Sequence, residues 1–165
     1  GNTSFMLLNT ESGSSSITFA KANFSKMTGK YKVVAFHKPI VTPKSNHAAD
    51  EGKIGALTPE FVKAKINIVV AGHIHLYARF APINNVVSFV CGTGGESHYS
   101  GSGGAIKIDD KNFGTTNFTT SATNITGQFV SAAGAVIDTF TVTPTAATAL
   151  AQVNRARSRP KRLHW

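Results

Sequence analysis

The chain has 165 residues, 41% of them hydrophobic, a formal net charge of +9 and one cysteine. It is long enough to bury a core as one domain, no apolar stretch reaches the roughly 18–20 residues of a membrane-spanning helix, and Cys91 has no second cysteine for an internal disulfide. More than half of the net positive charge lies in Arg155, Arg157, Arg159, Lys161 and Arg162. Such a run reads either as a surface for nucleic acid or another polyanion or as a solvated, disordered end. No aromatic residue interleaves with the charges to stack a base, so residues 144–165 are taken as a basic disordered tail and nucleic acid is not expected as a partner.

In chain order, Phe5-Met6-Leu7-Leu8 reads as a short buried strand and Gly13 to Ser16 as a loop whose serines suit a helix cap. Ile17, Ala20, Phe24 and Met27 recur at helical spacing, with Gly29 as the stop. Tyr31 to Phe36 is the next strand and runs into His37-Lys38-Pro39. A polar loop from Thr42 to Gly52 carries His47, and Thr58-Pro59-Glu60 opens a helix with proline at its first position and an acid in its first turn. The apolar run from Ile66 to Ala71 reads as a buried strand that Gly72 turns sharply into His73-Ile74-His75. A strand from Val86 to Val90 then ends in Cys91-Gly92-Thr93-Gly94-Gly95. This rhythm predicts an α/β fold with a layered β-α-β-α-β sheet half, followed after Gly104 by antiparallel strands at Ala105–Ile108, Gln128–Val130 and Val136–Val142. Residues 1–143 are expected to form this domain.

Two imidazoles one residue apart at the carboxyl end of a sheet strand stand where open α/β sheets gather ligands. His37 ends the neighbouring strand in the same way. Each motif alone has an ordinary explanation: a structural histidine, or alternate residues sharing one face of an extended segment. Together, strand-His-x-Pro and strand-Gly-His-x-His form a candidate metal site, since neutral imidazole suits zinc, iron, manganese or copper. Other candidates are weaker. Gly92-Thr93-Gly94-Gly95 lacks phosphate-loop spacing and reads as a tight turn, Cys91 reads as a small buried residue, and Ser97 and His98 are adjacent in sequence, which is no catalytic pairing.

At these residues the sequence resembles the calcineurin-like metallophosphoesterase superfamily and, within it, the purple acid phosphatases. Ala35-Phe36-His37-Lys38-Pro39 is similar to that family's strand-end His-x-Pro motif, and Ala71 to Arg79 to its Gly-His-x-His block with a trailing aromatic residue and arginine. Val86 to Gly95 and Gly1 to Glu11 are similar to flanking family strands, so the likeness runs over about residues 1–143, the C-terminal half of such a domain. The resemblance implies hydrolysis of phosphoric monoesters at a dinuclear centre of iron, zinc or manganese. His37 and His73 would ligate one ion and His75 the other. His47 would contact the substrate phosphate or donate a proton to the leaving alkoxide. Tyr77 and Arg79 would pack or orient the histidine loop.

The family's upstream motifs, Asp-x-His, Gly-Asp and Gly-Asn-His-Glu, are absent, and with them the carboxylates that hold two cations together. Gly1-Asn2-Thr3-Ser4 carries neither a start methionine nor a basic-then-apolar leader. The expected partner is therefore a missing N-terminal half that completes the site, and the chain alone is expected to be inactive. The competing expectation is a truncated or degenerate relative that serves as a non-catalytic binding or structural domain. Sequons at Asn2, Asn23, Asn117 and Asn124 point to a secreted or lumenal glycoprotein.

Overall fold

The computed structural model describes residues 2–45 and 54–144. His47 and the basic tail beyond Pro144 lie outside them. Strand residues predominate and form two sheets.

The first sheet is six-stranded and mixed, in the order β1 (Thr3–Leu8), β2 (Tyr31–Phe36), β3 (Ile68–Ala71), β5 (Val87–Cys91), β4 (Tyr77–Arg79) and β6 (Lys107–Asp109). β1, β2, β3 and β5 run parallel, whereas β4 and β6 pair antiparallel at one edge. The second sheet is an antiparallel meander of β7 (Gly114–Thr120), β8 (Ile125–Ser131) and β9 (Val136–Val142), with a bulge at Phe129/Val130.

Two short helices serve the crossovers between parallel strands. α1 (Ser14–Asn23) leads from β1 towards β2, and α2 (Thr58–Lys63) precedes β3 with Pro59 in its first turn. Both pack on one face of the first sheet. Ala20, Phe24 and Phe61 bury there against Met6, Val34, Phe36 and Val69, and the Phe24 and Phe61 rings meet edge to face with centroids 5.9 Å apart. The other face is covered by β8 and β9. Tyr31, Val33, Ile68, Tyr77, Val87 and Phe89 of the first sheet close on Ile125, Phe129, Phe140 and Val142.

This arrangement corrects the expectation of an α/β fold built on β-α-β-α-β layering. Strand outweighs helix, and the second layer is a sheet, with the helices confined to the opposite face. The reason lies in side-chain volume. The face turned from the helices carries large aromatic rings, which meet rings from β8 and β9. Tyr77 stacks on Phe129 with centroids 4.3 Å apart and planes 2° from parallel, and Phe89 tilts against Phe140 at 4.6 Å.

One polar contact seals this interface. Asp138 of β9 accepts hydrogen bonds from Arg79 Nε (2.7 Å), Arg79 Nη2 (3.0 Å) and the Tyr77 hydroxyl (2.8 Å), while the guanidinium also lies over the Phe140 ring. Tyr77 and Arg79 thus fasten the two sheets. Burial raises the Asp138 carboxyl pKa, but the hydrogen bonds from Arg79 and Tyr77 and the guanidinium charge outweigh it, and the group lies below the usual carboxylate range. Burial pushes the Tyr77 hydroxyl well up, and its bond to Asp138 adds to that.

Because the folded-state carboxyl pKa is depressed, its stabilisation is present above the unfolded value of roughly 3.9 and is lost as pH falls through the lower folded value. Asp138→Asn is expected to cost about 2–3 kcal/mol at neutral pH, less than a fully buried pair because Arg79 is partly exposed. It should also flatten the acid limb of stability. Urea unfolding of both proteins at pH 7 and pH 3 checks this.

Candidate metal centre

β2 and β3 run parallel and in step, with Phe36 opposite Ala71. The ladder continues one residue further, where the Gly72 N–H donates to the His37 carbonyl at 2.9 Å. His37 and His73 are therefore delivered side by side at the carboxyl edge of the sheet. β3 is apolar throughout because both its faces are buried: Ile68 and Val70 pack towards the second sheet, Val69 and Ala71 towards the helices.

The chain turns at His73, which corrects the expectation that Gly72 makes the turn. His73 adopts the left-handed φ of 64°, and the Ile74 N–H closes a γ-turn on the Gly72 carbonyl at 2.7 Å. A second three-residue turn follows at once, from the Leu76 N–H to the Ile74 carbonyl at 2.7 Å. Ile74 and Leu76 are fully buried with Ala78, Phe80 and Val90, so the alternate residues anchor the loop while the two histidines stand between them. The strained turn is held by packing on both sides of His73.

His73 Nδ1 lies 3.2 Å from His37 Nε2, with the rings at 71°. Two imidazole nitrogens bound to one tetrahedral zinc at about 2.0–2.1 Å lie about 3.3 Å apart, so this pair has the spacing to hold one ion. His75 is oriented separately. Its Nδ1 is 2.9 Å from the Ser97 carbonyl. A carbonyl only accepts, so Nδ1 carries the proton and Nε2 keeps its lone pair in the neutral ring, as in a metal-ligating histidine with an outer hydrogen-bond partner. The ring stacks on Tyr99 at 4.2 Å, and the Tyr99 N–H donates to the His75 carbonyl at 3.1 Å.

Ser97 and Tyr99, which carry no motif, are thus the residues that hold His75. His98 between them turns away to stack on Phe113, with its Nε2 buried and without a hydrogen-bond partner among the described residues. Glu96 accepts the Ser97 N–H at 2.8 Å. That bond and the nearby His75 ring hold its carboxyl below the usual range.

The glycine-rich turn after β5 has a packing reason. A Cβ on Gly92 would stand 2.0 Å from the Ile74 carbonyl oxygen, so the histidine loop rests directly on the Gly92 backbone. Cys91 lies beneath, its thiol pushed up to about 11 by burial, which makes it a packing residue and no nucleophile.

Among the described residues, no three histidine, cysteine, aspartate or glutamate side chains come together as a metal-binding group. The donor set fits one borderline ion held by two imidazoles. It does not fit two ions, for which a bridging carboxylate is needed: Glu11 pairs with Lys38 at 2.8 Å, Asp138 is committed to Arg79, and Glu96, the acid near His75, accepts the Ser97 N–H and joins no three-ligand group among the described residues.

No protein-family model matches the chain. It is 34% identical over 86 residues to purple acid phosphatase 21 of Arabidopsis thaliana, a stretch that makes up 50% of this chain and 20% of that protein. Among solved structures it superposes on a protein described as GAP50, the anchor in the inner membrane complex of Plasmodium. The TM-score is 0.76 at 20% identity, over 94% of this chain and 53% of that one. The chain therefore spans about half the length of the solved structure and a fifth of the curated relative. These likenesses support a metallophosphoesterase-like relation and a phosphatase-like fold. The purple acid phosphatase match hints at a dinuclear metal site, for which the described residues supply no complete ligand group.

Gly92→Ala is expected to destabilise the chain by about 1–3 kcal/mol through overpacking against Ile74 and to displace the histidines. Thermal unfolding, together with loss of the His75 ring-proton signal in NMR, checks it.

Proposed function

We propose that this chain is the histidine-bearing part of a metal-dependent phosphoric monoester hydrolase of the acid phosphatase type, whose remaining ligands come from polypeptide beyond the described residues. The observation that carries this reading is the 3.2 Å approach of His37 Nε2 and His73 Nδ1 at the ends of two parallel strands. The local identity to a purple acid phosphatase supports it. On this reading His37 and His73 share one ion and His75 offers Nε2 to a second, either ion being iron, zinc or manganese. Bound metal supplies charge neutralisation for the phosphate oxygens and a water of lowered pKa.

The chain's own residues orient that chemistry. Ser97 keeps the His75 proton on Nδ1, Tyr99 holds the ring plane, and the buried Ile74 and Leu76 fix the loop. His47 is assigned phosphate contact or proton donation to the leaving alkoxide. We also place the protein in a secreted or lumenal compartment, with glycan at Asn2, Asn23, Asn117 and Asn124. Asn2 and Asn117 are the exposed sequons; the Asn2 amide donates to the Ser121 carbonyl at 3.1 Å and the Asn23 amide to the Phe19 carbonyl at 2.8 Å.

A second reading, a non-catalytic binding or structural domain, is favoured by one observation: the described residues form no three-ligand metal group. Zinc titration of this chain by calorimetry is expected to give weak binding that His37→Ala and His73→Ala each reduce at least about tenfold. In a longer protein that contains this segment, His73→Ala and His75→Ala should each abolish hydrolysis of an aryl phosphate. Turnover surviving in both variants sinks the enzymatic reading, and a wild-type protein inert with metal supplied supports the second one.

A further inference from the structure

At the edge of the first sheet opposite the histidines lies a groove that phosphoester chemistry does not use. It has a volume of about 500 Å³ and is lined chiefly by Lys21, Phe24, Lys32, Glu60, Lys63 and Lys65. Lys32 is the second residue of β2, and His37 follows it by five positions, so the two regions stand roughly 17 Å apart along the strand.

Four ammonium groups here face one carboxylate. Lys38–Glu11 and Arg79–Asp138 are ion pairs outside the groove, and Glu60 is the carboxylate that lines it with the four lysines, which leaves an excess of positive charge. Lys21 and Lys63 lie in the last turns of α1 and α2, where a cation complements the helix dipole. That ordinary role accounts for two of the four. Lys32 is held in place, its Nζ donating to the Ala64 carbonyl at 2.9 Å.

Lys65 is the informative one. It sits just past α2 at a left-handed φ of 57°, with its N–H bonded to the Val62 carbonyl at 3.0 Å and the Ile66 N–H to that of Phe61 at 2.9 Å. Glycine fits such a helix ending with less strain. These bonds and the buried Ile66 beside Phe61 hold the backbone turn, while the Lys65 side chain is exposed and presents its charge at the groove.

The groove is shallow and open, and its volume of about 500 Å³ is on the scale of a compact anion. Phe24 is 6% exposed and offers no free ring for base stacking, so recognition falls to the ammonium groups as point charges for phosphate. We infer that this groove binds a small polyanion bearing several phosphate groups, either a linear oligophosphate or a multiply phosphorylated ring, independently of the histidine site.

Calorimetric titration of the full chain with tripolyphosphate and, separately, with inositol hexakisphosphate tests this. At least one probe should bind at a stoichiometry of one and weaken steeply with added salt. Tighter binding of the first assigns a linear chain, of the second a phosphorylated ring. The triple variant Lys21→Gln, Lys63→Gln, Lys65→Gly should lose at least about tenfold in affinity, and His73→Ala should lose none. Lys65→Gly alone should weaken binding without lowering the Tm, separating a ligand contact from a structural one. Failure of both probes to bind below millimolar concentration overturns the proposal. So does unchanged affinity in the triple variant, which would assign the anion to the basic tail, or loss of binding in His73→Ala.

Discussion

The parallel register of β2 and β3 is the constraint on which the rest of the site depends. With Phe36 opposite Ala71 and the Gly72 N–H on the His37 carbonyl, two histidines thirty-six positions apart in sequence become neighbours. A slip of one residue would exchange the two buried faces of β3, setting Ile68 and Val70 against the helices and Val69 and Ala71 against the second sheet, and would part His73 from His37. The register that places the imidazoles is set by this burial together with the ladder, which the buried Asn67 extends at the other end by accepting the Lys32 N–H at 2.8 Å.

The histidine loop is then gripped from both ends. Upstream it leaves the centre of the parallel sheet. Downstream it enters β4, whose Tyr77 and Arg79 are tied to Asp138 across the sheet interface. Between these anchors Ile74 and Leu76 are buried and Gly92 lies directly beneath. The second sheet therefore reaches the site indirectly: by fixing β4 it fixes where the loop must land. A left-handed histidine is tolerable in such a setting because its neighbours leave the chain no alternative path.

The two ends of the first sheet carry different chemistry. The carboxyl edge presents imidazoles, which are soft enough for borderline metals and, in the absence of a convergent carboxylate among the described residues, incomplete for two. The amino edge presents ammonium groups around a concavity. Both follow from the crossover topology, which sends every β-to-α turn to one edge and every α-to-β turn to the other. The first edge receives strand-end residues and the second receives helix C-termini with their lysines.

The sequence by itself located the central strands and the candidate histidines. Apolar runs at Tyr31–Phe36, Ile66–Ala71 and Val86–Val90 located the central strands, observed at Tyr31–Phe36, Ile68–Ala71 and Val87–Cys91, because a strand buried on both faces leaves an unbroken hydrophobic pattern. His37, His73 and His75 were legible for the same reason: each stands where such a run stops. Only the tertiary structure decided the layering. β7, Gly114-Thr115-Thr116-Asn117-Phe118-Thr119-Thr120, is polar and gives little apolar pattern, and nothing local says that aromatic rings of β8 and β9 will cover a face where helices were expected. It also decided which residue turns, His73 and not Gly72, and which groups hold His75. A backbone carbonyl at Ser97 and a ring stack from Tyr99 depend on where the chain returns in space, and that is set by long-range packing, which leaves no spacing in the sequence.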